Sequence, residues 1–399
     1  MRVAMLGWEF PPFMSGGLGV HCERLSKSLA QAGVDIDFFM PANGCKMSAS
    51  SVNMVPVYYS KEHAGMNEKF LDPYRRLRQE MANVKDKNDL IKNAKTRNLK
   101  KVDAYNLRVA KKIAERHESK PYDLVHVHGR FNIGAAILAK HLCGVPSVWT
   151  VHSTIFDEAA EGKPDRLQYD VEKMGAADAN KIIAVSKRTK RQVAKEFNTK
   201  KSKIEVVYNG IDYSDFNALR PRKAKRSKVL FHGRLTGQKG PKYFLMAARK
   251  LMQENPLASF IMSGKGHLRE SLDFFARQLR IKRKVDFPGF IPQSKLAQLY
   301  ADSDVFVLPS VSEPFGITVL EAMAAGTPVV MSKTCGAGEI VKNCVKVDYW
   351  DIDGMAEGMN KLLTDDAFHE EMSVKGREEA KQFSWDKVAL DTLRVYSSV

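Results

Sequence analysis

Cysteine is scarce and never clustered. Five of 399 residues (Cys22, Cys45, Cys143, Cys335 and Cys344), odd in number and without a Cys-x-x-Cys pair, argue against a disulfide framework or a zinc site. They fit a reducing, cytoplasmic compartment. Long apolar runs are also lacking. The run Val145 to Val151 is short and follows Lys140 and His141, so no segment is expected to span a bilayer. Met1 to Gly7 reads as a first strand and not as a signal peptide. Acidic residues are in deficit, 46 against 63 Lys and Arg, for a formal net charge of +17. The basic clusters, Lys85 to Lys101, Lys200 to Lys203, Arg220 to Lys228 and Arg280 to Lys284, attract anions in general, including an anionic membrane face. None interleaves aromatic residues as a single-strand binder does, so a solvated basic surface is the expectation and nucleic acid is not expected as a partner.

The length exceeds what one core usually supports, which predicts two domains. Hydrophobic content of 44% and charged content of 27% are those of a globular chain. The most informative stretch is residues 305 to 330. Val305 to Leu308 reads as a buried strand ended by Pro309 and Ser310, and Ile317 to Ala325 as a helix ended by Gly326 and Pro328. This places Glu313 at the carboxyl end of a strand and Glu321 one to two turns into the following helix, both able to face one crevice. In an open parallel α/β sheet that crevice binds ligands. Carboxylates accept from hydroxyls and a helix N-terminus donates to phosphate, so a nucleotide sugar suits the pair.

Other motifs follow the same strand-end logic. The strand Arg2 to Gly7 leads through Trp8-Glu9-Phe10-Pro11-Pro12-Phe13 into Ser15-Gly16-Gly17-Leu18-Gly19 and a helix, a turn that lets amides approach a phosphate. His128 and His152 arrive at the carboxyl ends of two strands, His128 followed by Gly129 and Arg130. Arg234 and Lys239, five apart on a glycine-containing loop after the strand Lys228 to Gly233, can close on a diphosphate from two directions. Ser263-Gly264-Lys265-Gly266 forms another strand-to-helix turn. Helices are expected over Pro73 to Val84, Lys100 to Arg116, Asn132 to His141 and Trp385 to Tyr396. Asp302-Ser303-Asp304 and Asp351-Ile352-Asp353 match an Asp-x-Asp metal pattern, yet their places suit a helix end and a helix N-terminus.

Ser312-Glu313-Pro314-Phe315-Gly316, Leu320-Glu321-Ala322 and Gly326-Thr327-Pro328-Val329-Val330 together resemble the glutamate-x7-glutamate signature of retaining glycosyltransferases of family 4 and their glycogen and starch synthase relatives. Gly-Arg-Leu-Thr-x-Gln-Lys-Gly at 233–240 resembles the family's diphosphate clamp, Thr-Val-His at 150–152 its donor-site histidine, and Asn209-Gly210-Ile211-Asp212 an element closing its first domain. Two places depart from the synthase pattern: Met14 stands where a lysine precedes the glycine turn, and Gly129-Arg130 stands where Asp-Trp follows the first histidine.

The resemblance implies an α/β chain of the GT-B fold, with two Rossmann-like domains facing an interdomain cleft. The expected segments are an acceptor-side domain over 1–212, a linker over 213–227, a nucleotide-sugar domain over 228–384 and a last helix, 385–399, crossing back. It further implies catalytic roles for His152, Arg234, Lys239 and Glu313. Donor contacts are expected from Gly16, Gly17, Gly264, Phe315, Gly316 and Glu321, with His128 and Arg130 on the acceptor side. No cofactor and no metal are expected, since the cation pair stands in for one. The implied reaction is hexosyl transfer, glucosyl first, from ADP-glucose or UDP-glucose to an α-glucan. A lipid-linked or small acceptor at a membrane face, or a non-catalytic glycan-binding scaffold, are the alternatives. Residues 43–120 carry no readable acceptor signal.

Overall fold

The computed structural model describes residues 1–11, 17–41, 49, 51–57, 101–160, 162–217 and 227–399. Met14, Gly16, Cys45, the helix expected over Pro73 to Val84, the basic run 85–100 and the stretch 220–226 lie outside the described residues. The chain divides into two compact units: Met1–Ile155 with Pro164–Val207 and Val388–Val399, and Phe156–Lys163 with Tyr208–Lys387.

The first unit is built on β1 (Arg2–Leu6), β2 (Asp35–Pro41), β3 (Asn53–Val57), β4 (Leu124–His128), β5 (Ser147–Val151), β6 (Lys181–Ala184) and β7 (Ile204–Val206). They form one sheet in the order β3-β2-β1-β4-β5-β6-β7, every pairing parallel. β1, β4 and β5 are buried along their whole length, as strands covered on both faces must be, and β4 buries His126 and His128 among its apolar residues. Near the amino ends, Asp37 accepts from Arg2 (2.7 Å), Arg116 (3.0 Å) and Asn53 (2.6 Å), and from the Tyr122 hydroxyl. Burial works against its charge, and the hydrogen bonds outweigh it, holding its carboxyl below the usual range.

The second unit carries β8 (Lys228–His232), β9 (Ser259–Ser263), β10 (Val285–Gly289), β11 (Val305–Leu308), β12 (Val329–Ser332) and β13 (Val345–Val347), in the order β10-β9-β8-β11-β12-β13. These pairings are parallel too. Helix Pro241–Glu254 lays Phe244, Leu245, Ala248 and Leu251 on the sheet, all fully buried. That is the i, i+1, i+4, i+7 stripe of an amphipathic helix, and each large chain so buried contributes roughly 1.5–3 kcal/mol. The turn Asn209 to Asp212 anchors on the break before the last helix. Ile211 N donates to Phe383 O at 2.7 Å, and a Cβ at Gly210 would lie 2.8 Å from the Ser384 carbonyl carbon.

Each sheet reverses its strand order once, between β1 and β4 in the first unit and between β8 and β11 in the second. Those are the points where open α/β sheets bind ligands, outside the carboxyl ends of the strands. No helix among the described residues is long and apolar enough to cross a membrane, and Cys22, Cys143, Cys335 and Cys344 are free thiols.

Candidate active site

In the second unit three loops interlock at the switch point. The loop after β8 receives Val311 N (2.9 Å) and Ser312 N (3.3 Å) on the Gln238 carbonyl, which ties it to the loop after β11. Leu235 N donates to Lys265 O at 2.8 Å, tying it to the loop after β9. Gly264, at φ +129, is a position where any Cβ would meet the Gly233 carbonyl oxygen at 1.9 Å.

On this frame Lys239 Nζ lies 2.5 Å from Glu313 Oε2, with side-chain exposures of 16% and 7%. The Ser310 hydroxyl donates to the same oxygen at 3.1 Å. Arg234 is exposed, and its Nη2 donates to Gln238 Oε1 at 3.2 Å. The main chain of Glu313 and Phe315 is fixed from the other side, accepting from Gly336 N (2.9 Å) and Ala337 N (2.7 Å). Gly316, at φ +98, is the left-handed residue that opens helix Ile317–Ala324. The helix N-terminus thus lies directly after the glutamate loop. The hydroxyls of Thr236 and Thr318 are buried without a hydrogen-bond partner among the described residues. His232, bonded to Ser263 at 2.8 Å, is pushed down to about 4 by burial and by the charge of Lys239.

Glu321 lies on the same helix, 7% exposed, and accepts from the Tyr300 hydroxyl at 2.8 Å. Burial pushes its carboxyl up to about 7, with the Tyr300 hydrogen bond opposing and the charge of Asp215 adding to the rise.

In the first unit, His128 ends β4 and His152 follows β5, with His128 Nδ1 and His152 Nε2 3.1 Å apart. His21, on helix Gly17–Gln31, stacks edge-on against His152 with ring centroids 4.4 Å apart. Burial drives His128 and His152 well below the usual imidazole range, reinforced by their histidine neighbours. Arg130 turns inward. Its Nε and Nη1 donate to Glu172 and Gln168, both at 2.7 Å, and Glu172 also accepts from Ile155 N at 3.0 Å.

A model of glycosyltransferase family 4 matches residues 15–215, and one of glycosyl transferases group 1 matches residues 215–379. An uncharacterized glycosyltransferase of Methanocaldococcus jannaschii is 31% identical, the match covering 99% of this chain and 98% of its own. The chain belongs to glycosyltransferase family 4. The glycogen synthase of Mycobacterium tuberculosis is 30% identical, covering 99% of this glycosyltransferase and 94% of the synthase. Among solved structures, the Anabaena protein HepE in complex with UDP and glucose superposes with a TM-score of 0.74 at 18% identity, over 100% of both chains. The two Rossmann-like halves are those of the GT-B fold.

The structure brings Arg234, Lys239, Glu313, Phe315, Gly316, Glu321 and Gly264 of the glycosyltransferase onto neighbouring loops and one helix of the second unit. Gly17, His128, Arg130 and His152 sit around the switch point of the first. Both Asp-x-Asp motifs have structural work, as expected. Asp304 accepts from Ser227 N and Lys228 N at 2.8 and 2.9 Å, and Asp351 caps its helix through Gly354 N at 2.9 Å. Tyr300 and His21 were not among the expected site residues, and Gln238 and Ser310 entered only as a member of the clamp motif and as a strand end. For Tyr300 a signal existed: a buried tyrosine needs a partner for its hydroxyl, here the glutamate 21 residues on.

Glu321 gives a test by pH. Its folded pKa lies above the 4.5 of a free glutamate, so the stability it lends is complete below that value and fades as pH rises through about 7. That rise is worth about 3 kcal/mol. Urea unfolding at pH 5 and pH 8 is expected to show the wild type losing about that much relative to Glu321→Gln, and parallel pH profiles would contradict it.

Proposed function

We propose that this glycosyltransferase moves a glucosyl group, with retention, from ADP-glucose or UDP-glucose to an α-glucan. The observation that carries the reading is the Lys239–Glu313 pair, 2.5 Å apart at the switch point of the second sheet. Each charge answers the other. A nucleotide sugar offers each a better partner, the diphosphate for Lys239 and sugar hydroxyls for Glu313, so binding splits the pair and sets both charges against the reacting bond.

Charge develops on the departing nucleoside diphosphate as that bond breaks, so fixed cations there lower the barrier most. Lys239 and Arg234 take this role, with Thr236 and the amide of Gly17 as further donors. Glu313 and the amides of Phe315 and Gly316 hold the sugar, Gly264 lets the chain approach the nucleotide, and Glu321 accepts from the ribose. His152, neutral through burial, positions the sugar, and His128 and Arg130 shape the acceptor side. Glu313 and Glu321 serve different parts of the donor, so neither is assigned as a covalent nucleophile, which would need two acids flanking one bond. Departure and attack on one face of the sugar give retention.

The similarity to a glycogen synthase supports the glucan acceptor. The charge of +17 favours, as a second reading, a lipid-linked or small acceptor at an anionic membrane face. Transfer to maltooligosaccharides in excess EDTA, followed by proton NMR of the new linkage, tests the first. An α-linked product and an unchanged rate are expected. A β-linked product, or a rate abolished by EDTA and restored by magnesium, would overturn it.

A further inference from the structure

His21, His128 and His152 reach one point from three separate elements of the first unit. Each offers a ring nitrogen, and these atoms all lie within 4.8 Å of one another. We infer that the three imidazoles form a binding site for one transition-metal ion of the zinc class, and that filling it withdraws His152 from the sugar donor. The second half rests on the donor role proposed above; the first does not.

Two observations support the site. The first is distance. Two nitrogens on a tetrahedral zinc ion, each at 2.0–2.1 Å, stand about 3.3 Å apart, and His128 Nδ1 and His152 Nε2 stand at 3.1 Å. The approach that reads as a hydrogen bond between neutral rings is also that of two ligands sharing an ion. The second is the surroundings. His126 bonds through one ring nitrogen to the Tyr396 hydroxyl (2.6 Å) and through the other to the Thr150 hydroxyl (2.7 Å). Both its nitrogens are occupied, and its ring packs 4.1 Å from that of His128, holding His128 in place as an outer shell does.

The donor set decides the class of ion. Three imidazoles suit zinc, copper or nickel, whereas magnesium and calcium require oxygen. Three protein ligands leave a fourth position open. His152 is the half-buried member of the set and the one assigned to the sugar, so metal and donor compete for it.

The test uses untagged protein stripped with EDTA and dialysed, with Co²⁺ as the probe. One equivalent of Co²⁺ is expected to give the intense visible bands of a low-coordinate nitrogen site, bleached by one equivalent of Zn²⁺ and untouched by excess Mg²⁺. His21→Gln and His128→Gln are each expected to weaken Co²⁺ binding by more than about 100-fold, beyond the loss typical of an outer-shell change, while His141→Gln leaves it intact. Circular dichroism checks that each variant is folded. Absence of the bands, or bands that survive in a folded His21→Gln variant, would overturn the site. In transfer assays, added Zn²⁺ is expected to inhibit wild type competitively with donor. Inhibition that excess donor does not relieve, or that persists in His21→Gln, would overturn the competition. Because the spectra are read without any sugar, they decide the site even if the chain transfers none.

Discussion

Replacing Lys239 with alanine lowers kcat/KM for glucosyl transfer by about 10²–10³-fold, the scale seen when one fixed donor is removed from a charge that develops in a transition state. Most of the loss falls on kcat, because the diphosphate carries more charge as it leaves than it does in the bound donor. The same substitution has a structural effect. Glu313, with 7% side-chain exposure, keeps among the described residues only the Ser310 hydroxyl at 3.1 Å, and a buried carboxylate that loses its cation is destabilising by up to about 3–5 kcal/mol. The two effects separate in a double variant. Lys239→Ala with Glu313→Gln removes the stranded charge and is expected to recover most of the lost melting temperature, while transfer stays as low as in the single variant or lower. Recovery of transfer in the double variant would mean that Lys239 serves only to neutralise Glu313.

The second large effect lies one residue on. Gly240→Ala is expected to destabilise the second unit by about 3 kcal/mol or more and to take transfer with it, whereas Gly237→Ala in the same loop is nearly neutral. Gly240 sits at φ +67 with its carbonyl neighbour so close that a Cβ would meet Pro309 O at 2.0 Å, while a Cβ at Gly237 meets nothing within 4 Å. Left-handed backbone costs a non-glycine residue about 1–2 kcal/mol by itself. The clash adds to this by pushing apart the two loops that carry Lys239 and Glu313. Chemical denaturation of both variants checks the contrast, and equal melting behaviour would remove the close approach of the loops from the explanation.

Much of this site was legible because its parts are local. The loop from Pro309 to Gly316 is bounded by an apolar strand on one side and a helix on the other, and proline and glycine mark its ends, so strand, turn and helix could be placed from residue type alone. Arg234 and Lys239 were legible for the same reason, five apart on one loop. Three of the edge strands were not. β10 alternates buried and exposed positions and includes Pro288, β13 is three residues long and β3 contains Pro56. Short, polar or proline-bearing strands at a sheet edge lack the run of apolar residues that betrays a central strand. Contacts between distant segments were equally silent. Nothing near position 130 indicates that Arg130 points at Glu172, and His21, His128 and His152 meet only because two strands and a helix end beside one another. Tertiary convergence of that kind leaves no local pattern.

The most direct measurement is release of nucleoside diphosphate from a panel of nucleotide sugars, with and without glycogen or maltooligosaccharides. Turnover of ADP-glucose or UDP-glucose that rises several-fold with glucan, and falls with Lys239→Ala, is the expected result. Turnover indifferent to glucan would move the acceptor to lipids or small molecules, and no turnover of any donor in folded protein would contradict the assignment of this site to glucosyl transfer.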